Sequence, residues 1–212
     1  FVKAHQDKPF FVYLPHSMPH IPLYVPDEVR DPDPKKAYIS TIEHIDSEVG
    51  RLLKALDELK LTGNTYVIYT TDNGPWLSFK HHGGSAGPLR EGKGTTFEGG
   101  QRVPCLMRGP GIPAGTVCNE LTGTIDILPS IAAITGTPLP EGRKIDGIDA
   151  SGLWHGSADK SPREEFVHYT SNGRLEGLRQ GNWKLLVKVP RPRRNQKQQA
   201  AAKPAQILLF DL

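Results

Sequence analysis

Hydrophobic positions change period several times along this chain, and each change marks an element. Phe10-Phe11-Val12-Tyr13-Leu14 is continuously apolar, which predicts a short strand buried on both faces. The segment from Pro15 to Pro22 follows with three prolines, which exclude helix and leave a rigid loop at the strand's carboxyl end. Asp33-Pro34 supplies an N-cap and a first-turn proline. Behind it Tyr38, Ile42, Ile45, Val49, Leu52, Leu56 and Leu59 recur at spacings of three and four, the apolar stripe of a helix that packs on a sheet. Leu61-Thr62-Gly63-Asn64 ends that helix, and Tyr66 to Thr71 is β-branched and aromatic, a second strand. Strand, helix, strand in this order predicts a right-handed crossover with the two strands parallel.

Further on, Val103 to Met107 reads as another strand, and Thr124 to Ile131 opens a helix that closes at Gly136. The pattern shifts near Ala150. Phe166 to Thr170, Gly177 to Val189 and Ile207 to Phe210 are short strands with no long helix between them, which predicts an antiparallel sheet with a hairpin. The chain therefore divides into an α/β part, 1–150, and a small antiparallel part, 151–212. Between Val189 and Ala205 the sequence PRPRRNQKQQAAAKPA is basic and of low complexity. It reads as a solvated loop, with contact to a polyanion as the alternative. Phe1-Val2-Lys3 looks like the end of a helix, and the apolar run Ile207 to Phe210 stops almost at the terminus without a polar cap. Both features predict the C-terminal part of a longer protein, so no leader is expected within the chain and its absence says nothing about compartment.

Composition narrows this picture only a little. With 212 residues, 37% of them hydrophobic, the chain can bury a sizeable core, and 22 glycines with 19 prolines imply a loop-rich globular protein. No run approaches the roughly 18 apolar residues that span a bilayer. A net charge of +3 admits an anionic substrate without calling for nucleic acid. Cys105, within the apolar run VPCLM, is expected to be a buried thiol, with one disulfide to Cys118 as the alternative.

Candidate chemistry concentrates between Thr70 and Gly100, where TTDNGPWLSFKHHGGSAGPLREGKGTTFEGG holds eight glycines directly behind a strand. Asp72 and Asn73 stand at that strand's carboxyl end, where ligands bind in open α/β sheets. A carboxylate and an amide carbonyl are hard oxygen donors suited to Ca²⁺ or Mg²⁺. Standing alone, DNGP would be an ordinary turn. Lys93 follows 93 − 72 = 21 positions later, between Gly92 and Gly94, where little bulk would block an anion. GKGTT looks like a phosphate loop but lacks the G-x-x-x-x-G-K-[ST] spacing, which argues against a nucleotide.

DNGP followed by GGSAGPLREGKGTTFEGGQRVP closely resembles the second half of the type I, formylglycine-dependent sulfatases, in particular the arylsulfatase A-like group. The resemblance extends through KPFFVYLPHSMPHIP, TIEHIDSEVGRLLKALDEL, TIDILPSIAAITG, GLRQGNWKLL and ILLFDL, and so covers nearly the whole chain. It implies the C-terminal half of an alkaline phosphatase-like α/β sandwich followed by a small antiparallel β-sheet subdomain. It also implies hydrolysis of sulfate esters on a small molecule or polysaccharide, with no nucleic acid or membrane partner, in a periplasmic, secreted or lysosome-like compartment.

By that resemblance Asp72 and Asn73 are metal ligands for Ca²⁺, ahead of Mg²⁺. Lys93 binds a sulfate oxygen and assists the leaving group, and His20 contacts sulfate and can protonate the departing oxygen. His16, His81, His82 and Trp76 are rim candidates, Glu98 organises the GTTFEGG loop, and Arg90 pairs with Glu91 or faces substrate. The family's C-x-P-S-R motif, source of the formylglycine nucleophile, is absent here, as is the adjacent Asp-Asp pair that completes its metal site. Both are expected upstream of Phe1, and this chain by itself is expected to be inactive. A phosphate or phosphonate ester hydrolase of the same superfamily, or a non-catalytic sulfatase-like remnant, are the alternatives.

Overall fold

Asp33 caps the only long helix among the described residues. Its side chain accepts a hydrogen bond from Lys35 N at 3.0 Å, and Pro34 to Lys36 form a single 3₁₀ turn that runs into α1, Ala37–Glu58. The computed structural model describes residues 1–188 and 204–212, so most of the basic segment read as a solvated loop, residues 189–203, lies outside them. The chain separates into two compact units, Phe1–Pro110 and Gly111–Leu212.

In the first unit the predicted stripe on α1 is only partly buried. Ile45 and Leu56 are buried, whereas Ile42 is 36% exposed. Ser40 and Thr41, outside the stripe, are buried instead. Their hydroxyls are satisfied locally, which removes the penalty for burying them: Thr41 donates to Ala37 O at 2.7 Å, and Ser40 accepts from Asp31 N at 3.2 Å. Just past the Leu59 cap, Lys60 takes the left-handed conformation at φ 58° and turns the chain out of the helix. Lys60 N donates to Asp57 O at 3.0 Å and Leu61 N to Leu56 O at 2.9 Å, a pair of bonds that satisfies two terminal carbonyls.

β1, Val67–Thr70, follows and pairs antiparallel with β2, Cys105–Arg108, in the register Val67 opposite Arg108 and Thr70 opposite Cys105. This corrects the expectation of a parallel crossover. Phe10 to Leu14 forms no strand, and Phe11 and Tyr13 stand 75% and 76% exposed. An apolar run buried on both faces needs hydrogen-bonded neighbours, and no described segment supplies one. Val12 and Leu14 instead line an open apolar groove with Leu52 and Ala55 of α1 and with Leu59 just beyond it. Cys105 is a second correction. It is exposed, as is Cys118, and both are free thiols.

The second unit confirms the predicted helix and antiparallel sheet. α2, Glu98–Gln101, is a single turn in the first unit. α3, Ile127–Thr135, closes at Gly136 in the left-handed conformation, φ 65°. A short α4, Ser151–Trp154, leads to β3 (Glu165–Tyr169), β4 (Leu175–Gln180), β5 (Trp183–Lys188) and β6 (Gln206–Asp211), a four-stranded antiparallel meander. β5 alternates strictly. Lys184 and Leu186 are buried, while Trp183, Leu185 and Val187 stand on the opposite, more open face.

A buried ion pair ties this unit together. Arg163, after α4, clasps Asp126, before α3: Nε donates to one carboxylate oxygen at 2.9 Å and Nη2 to the other. Asp126 also accepts from Gly123 N at 2.8 Å and Ile148 N at 2.9 Å, and its side chain is 1% exposed. Burial by itself would raise the Asp126 pKa. The Arg163 guanidinium and the two backbone N–H groups outweigh it and hold the carboxyl below its ordinary value. Because the folded value is depressed, the unfolded chain takes up the proton first as pH falls. The stabilisation is therefore complete above about pH 4 and is lost as pH drops through the folded value. Arg163→Met should cost about 3–5 kcal/mol at pH 7, because it leaves a buried carboxylate without its counter-charge. Denaturant unfolding of both proteins across the acid range checks this, with the gap between them expected to narrow as Asp126 is protonated.

Candidate active site

The turn after β1 and the glycine-rich run behind it are packed backbone against backbone. Gly74 N donates to Gly100 O at 3.2 Å, Lys93 N to Pro75 O at 2.8 Å, Gly99 N to Arg90 O at 2.8 Å and Trp76 N to Gly83 O at 2.9 Å. Two positions show how little room remains. A Cβ on Gly74 would lie 1.8 Å from Gly99 O, and one on Gly92 would lie 2.4 Å from Pro75 O. Both contacts are with rigid main chain, so only glycine fits there.

On this scaffold Asp72 and Asn73 stand at the carboxyl end of β1, as expected from the sequence. Asn73 Nδ2 donates to Gly74 O at 2.9 Å, which leaves its carbonyl oxygen, the harder donor, uncommitted among the described residues. The Asp72 carboxylate is exposed. The pair fits two positions of a hard-cation site, and Ca²⁺ takes six to eight oxygens. Among the described residues no three His, Cys, Asp or Glu side chains are grouped to hold a metal ion.

Lys93 and His20 converge on Trp76. The Lys93 ammonium sits 4.9 Å from the centroid of the indole, and the His20 ring lies 5.7 Å from it, tilted by 56°. His20 Nδ1 lies 2.7 Å from Ile21 O. A carbonyl only accepts, so Nδ1 carries the hydrogen, and Nε2 is the nitrogen left for a ligand. Phe79 packs edge-on against Trp76, with centroids 4.6 Å apart, and braces the indole from another side. The brace was not legible in the sequence, because nothing in LSFKHH sets Phe79 apart from any other aromatic.

The rim candidates separate. His82 Nε2 donates to Pro34 O at 2.7 Å and fastens the loop to the start of α1, a structural role. His81 is exposed, and His16 lines a different groove with His44 and Glu48. Arg90 forms no ion pair with Glu91 among the described residues, and its guanidinium stacks over Phe97 at 4.2 Å. Glu98 opens the single turn α2 within GTTFEGG. At the loop's far side a Cβ on Gly84 would fall 2.7 Å from the Tyr38 hydroxyl, so α1 and the loop meet closely. Burial, with a smaller contribution from Tyr69, pushes the Tyr38 phenol above its ordinary pKa.

Comparison with known proteins defines the class. The family model described as Sulfatase matches residues 1–137. Arylsulfatase A from Bos taurus is 40% identical over 167 residues, 79% of this chain and 32% of that protein. Steryl-sulfatase from Mus musculus is 36% identical over 200 residues, 90% of this chain and again 32% of the relative. A solved structure from work on glycosaminoglycan metabolism by Bacteroides thetaiotaomicron superposes with a TM-score of 0.83 at 27% identity, covering 99% of this chain and 45% of that one. The chain belongs to the sulfatase family, with the alkaline phosphatase-like α/β fold, and it spans about a third of the length of the relatives it matches.

The interlocked glycines give a direct test. Gly74→Ala should destabilise the protein by about 3 kcal/mol, because the backbone it strikes cannot yield without moving the loop. Gly63→Ala, where an added Cβ meets nothing within 4 Å, should be neutral or stabilise by a few tenths of a kcal/mol, on the order expected from a less flexible unfolded chain. Thermal or denaturant melts of the two variants side by side check both.

Proposed function

We propose that this chain carries the metal-binding and leaving-group half of a sulfuric ester hydrolase acting on sulfated carbohydrates or related small sulfate esters. One observation carries the reading. Behind the Asp72-Asn73 turn, and fastened to it through Pro75, a lysine ammonium and a histidine ring meet at a single indole. Membership of the sulfatase family supports the reaction, and the likeness to a structure from glycosaminoglycan metabolism supports the sugar substrate. Residues 1–150 would contribute to the catalytic domain and 151–212 would form its antiparallel subdomain. The family resemblance supports a location outside the cytosol, and no described helix is long and apolar enough to cross a membrane.

A sulfate ester shifts negative charge onto its leaving oxygen as the S–O bond breaks. Stabilising that change takes fixed positive charge at the sulfate oxygens and a proton for the leaving group. Asp72 and Asn73 are the residues that would hold Ca²⁺, which supplies electrostatic stabilisation of the sulfate when bound. Lys93, with a compact ammonium on a flexible stem, holds a sulfate oxygen in the ground and transition states alike. With both ring nitrogens protonated, His20 keeps its Nδ1 hydrogen on Ile21 O and delivers the Nε2 proton to the departing oxygen, which leaves the neutral Nδ1–H ring. The formylglycine nucleophile of the family would come from sequence outside this chain.

Two measurements on the full-length enzyme follow. Calorimetric titration should show Asp72→Ala weakening Ca²⁺ binding more than Asn73→Ala, since the anion contributes more to a hard-cation site. Equal affinity in wild type and Asp72→Ala would overturn the metal assignment. Lys93→Ala should impair KM and kcat together. His20→Ala should act chiefly on kcat, by roughly 10²-fold for a sugar or alkyl sulfate and much less for nitrophenyl sulfate, whose leaving group needs no proton. Similar losses on both substrates would show that His20 binds sulfate without donating the proton.

A further inference from the structure

We infer that Trp76 is a positioning residue, whose indole holds the Lys93 ammonium and the His20 imidazole so that both address one sulfate group. The inference rests on the sulfatase reading for the reaction, but its geometry stands on the structure alone. Trp76 is fixed from several directions. Its N–H donates to Gly83 O at 2.9 Å, its carbonyl accepts from Phe79 N at 3.0 Å, and the Phe79 ring meets the indole edge-on at 4.6 Å. Lys93 is tied to the preceding residue through its bond to Pro75 O, so indole and ammonium descend from one clamped stretch of main chain.

The choice of partner matters chemically. Lys93 makes no ion pair with a carboxylate among the described residues, and its ammonium lies 4.9 Å from the indole centroid. A carboxylate would restrain the flexible lysine stem too, but it would neutralise the charge and compete with an incoming anion. An aromatic face attracts the cation through its quadrupole and leaves the positive charge available. His20 needs a different restraint. Its Nδ1 hydrogen goes to Ile21 O, which leaves rotation of an exposed residue's ring to be limited by the indole at 5.7 Å. Trp76 is itself 39% exposed, so it meets solvent beside both groups and is not a core residue.

The test is a double-mutant cycle in the full-length enzyme with Trp76→Leu, Trp76→Phe and Lys93→Ala, assayed on nitrophenyl sulfate. Trp76→Leu should lower kcat/KM by about 30-fold in the presence of Lys93 and by less than about threefold in its absence, the coupling expected of residues acting as a unit. Trp76→Phe, which keeps an aromatic face, should recover most of the loss. Additive losses, or a Phe variant no better than Leu, would overturn the inference. The contact itself is read without catalysis from the proton NMR signals of the Lys93 side chain. An upfield ring-current shift that vanishes in Trp76→Leu supports the arrangement, and signals unchanged by the substitution overturn it. If the wild-type enzyme hydrolyses no sulfate ester, the reading of the reaction fails, and the NMR result still decides whether Trp76 holds the lysine.

Discussion

Close approach of main chain to main chain is the constraint on which the candidate site depends. Asp72, Asn73, Trp76 and Lys93 come from a stretch with little regular secondary structure of its own, and such a stretch usually cannot hold side chains to fractions of an ångström. Here the loop substitutes its own backbone bonds for a sheet. Gly74 is bonded to Gly100, Pro75 to Lys93 and Arg90 to Gly99, so the two ends of a run of more than twenty residues lie against each other. The absence of a Cβ at Gly74 and Gly92 makes that contact sterically allowed. The same glycines that lower local helix and strand propensity therefore make this loop rigid.

Polar burial organises the second unit in a comparable way. Asp126, Arg163 and Ser130 form a connected network: Ser130 Oγ donates to Asp126 O at 2.7 Å and accepts from Ala150 N at 2.8 Å, while Arg163 Nη2 also reaches Asp146 O at 3.0 Å. Each buried polar atom thereby has a partner, which is the condition under which burying a carboxylate does not destabilise the fold. The network joins the start of α3, the segment before α4 and the approach to β3. A hydrophobic cluster could supply comparable stability, but it would not define the mutual placement of three chain segments as narrowly.

Charge at the site is handled differently from charge in this network. Asp126 and Arg163 neutralise one another and are shielded from water. Lys93 rests against an aromatic face and Asp72 is open to solvent, so neither is neutralised by a partner among the described residues. The charges of Lys93 and Asp72 thus stay at least partly open to solvent, whereas those of Asp126 and Arg163 are used internally to hold the fold.

The chain's amino acids by themselves determined the long helix with its Asp33 cap, the closure of α3 at Gly136, the antiparallel strands after residue 150 and the family to which the DNGP-to-EGG run belongs. Each of these follows from local spacing or from a long ordered motif, which a linear sequence carries directly. Only the tertiary structure decided the rest. Phe10 to Leu14 has the composition of a buried strand, yet a strand exists only where another backbone bonds to it, and β1 takes β2 as its partner. Cys105 sits in an apolar run but on an exposed position, because a sheet of two strands leaves both faces open at this end: Leu106, which points to the opposite side, is exposed as well. His20 lies 76 − 20 = 56 positions before Trp76 and Lys93 lies 93 − 76 = 17 after it, Phe79 is hidden among equivalent aromatics, and no periodicity links them. Trp76 and Lys93 are brought together by the backbone bond from Lys93 N to Pro75 O, which is defined by where the whole loop folds.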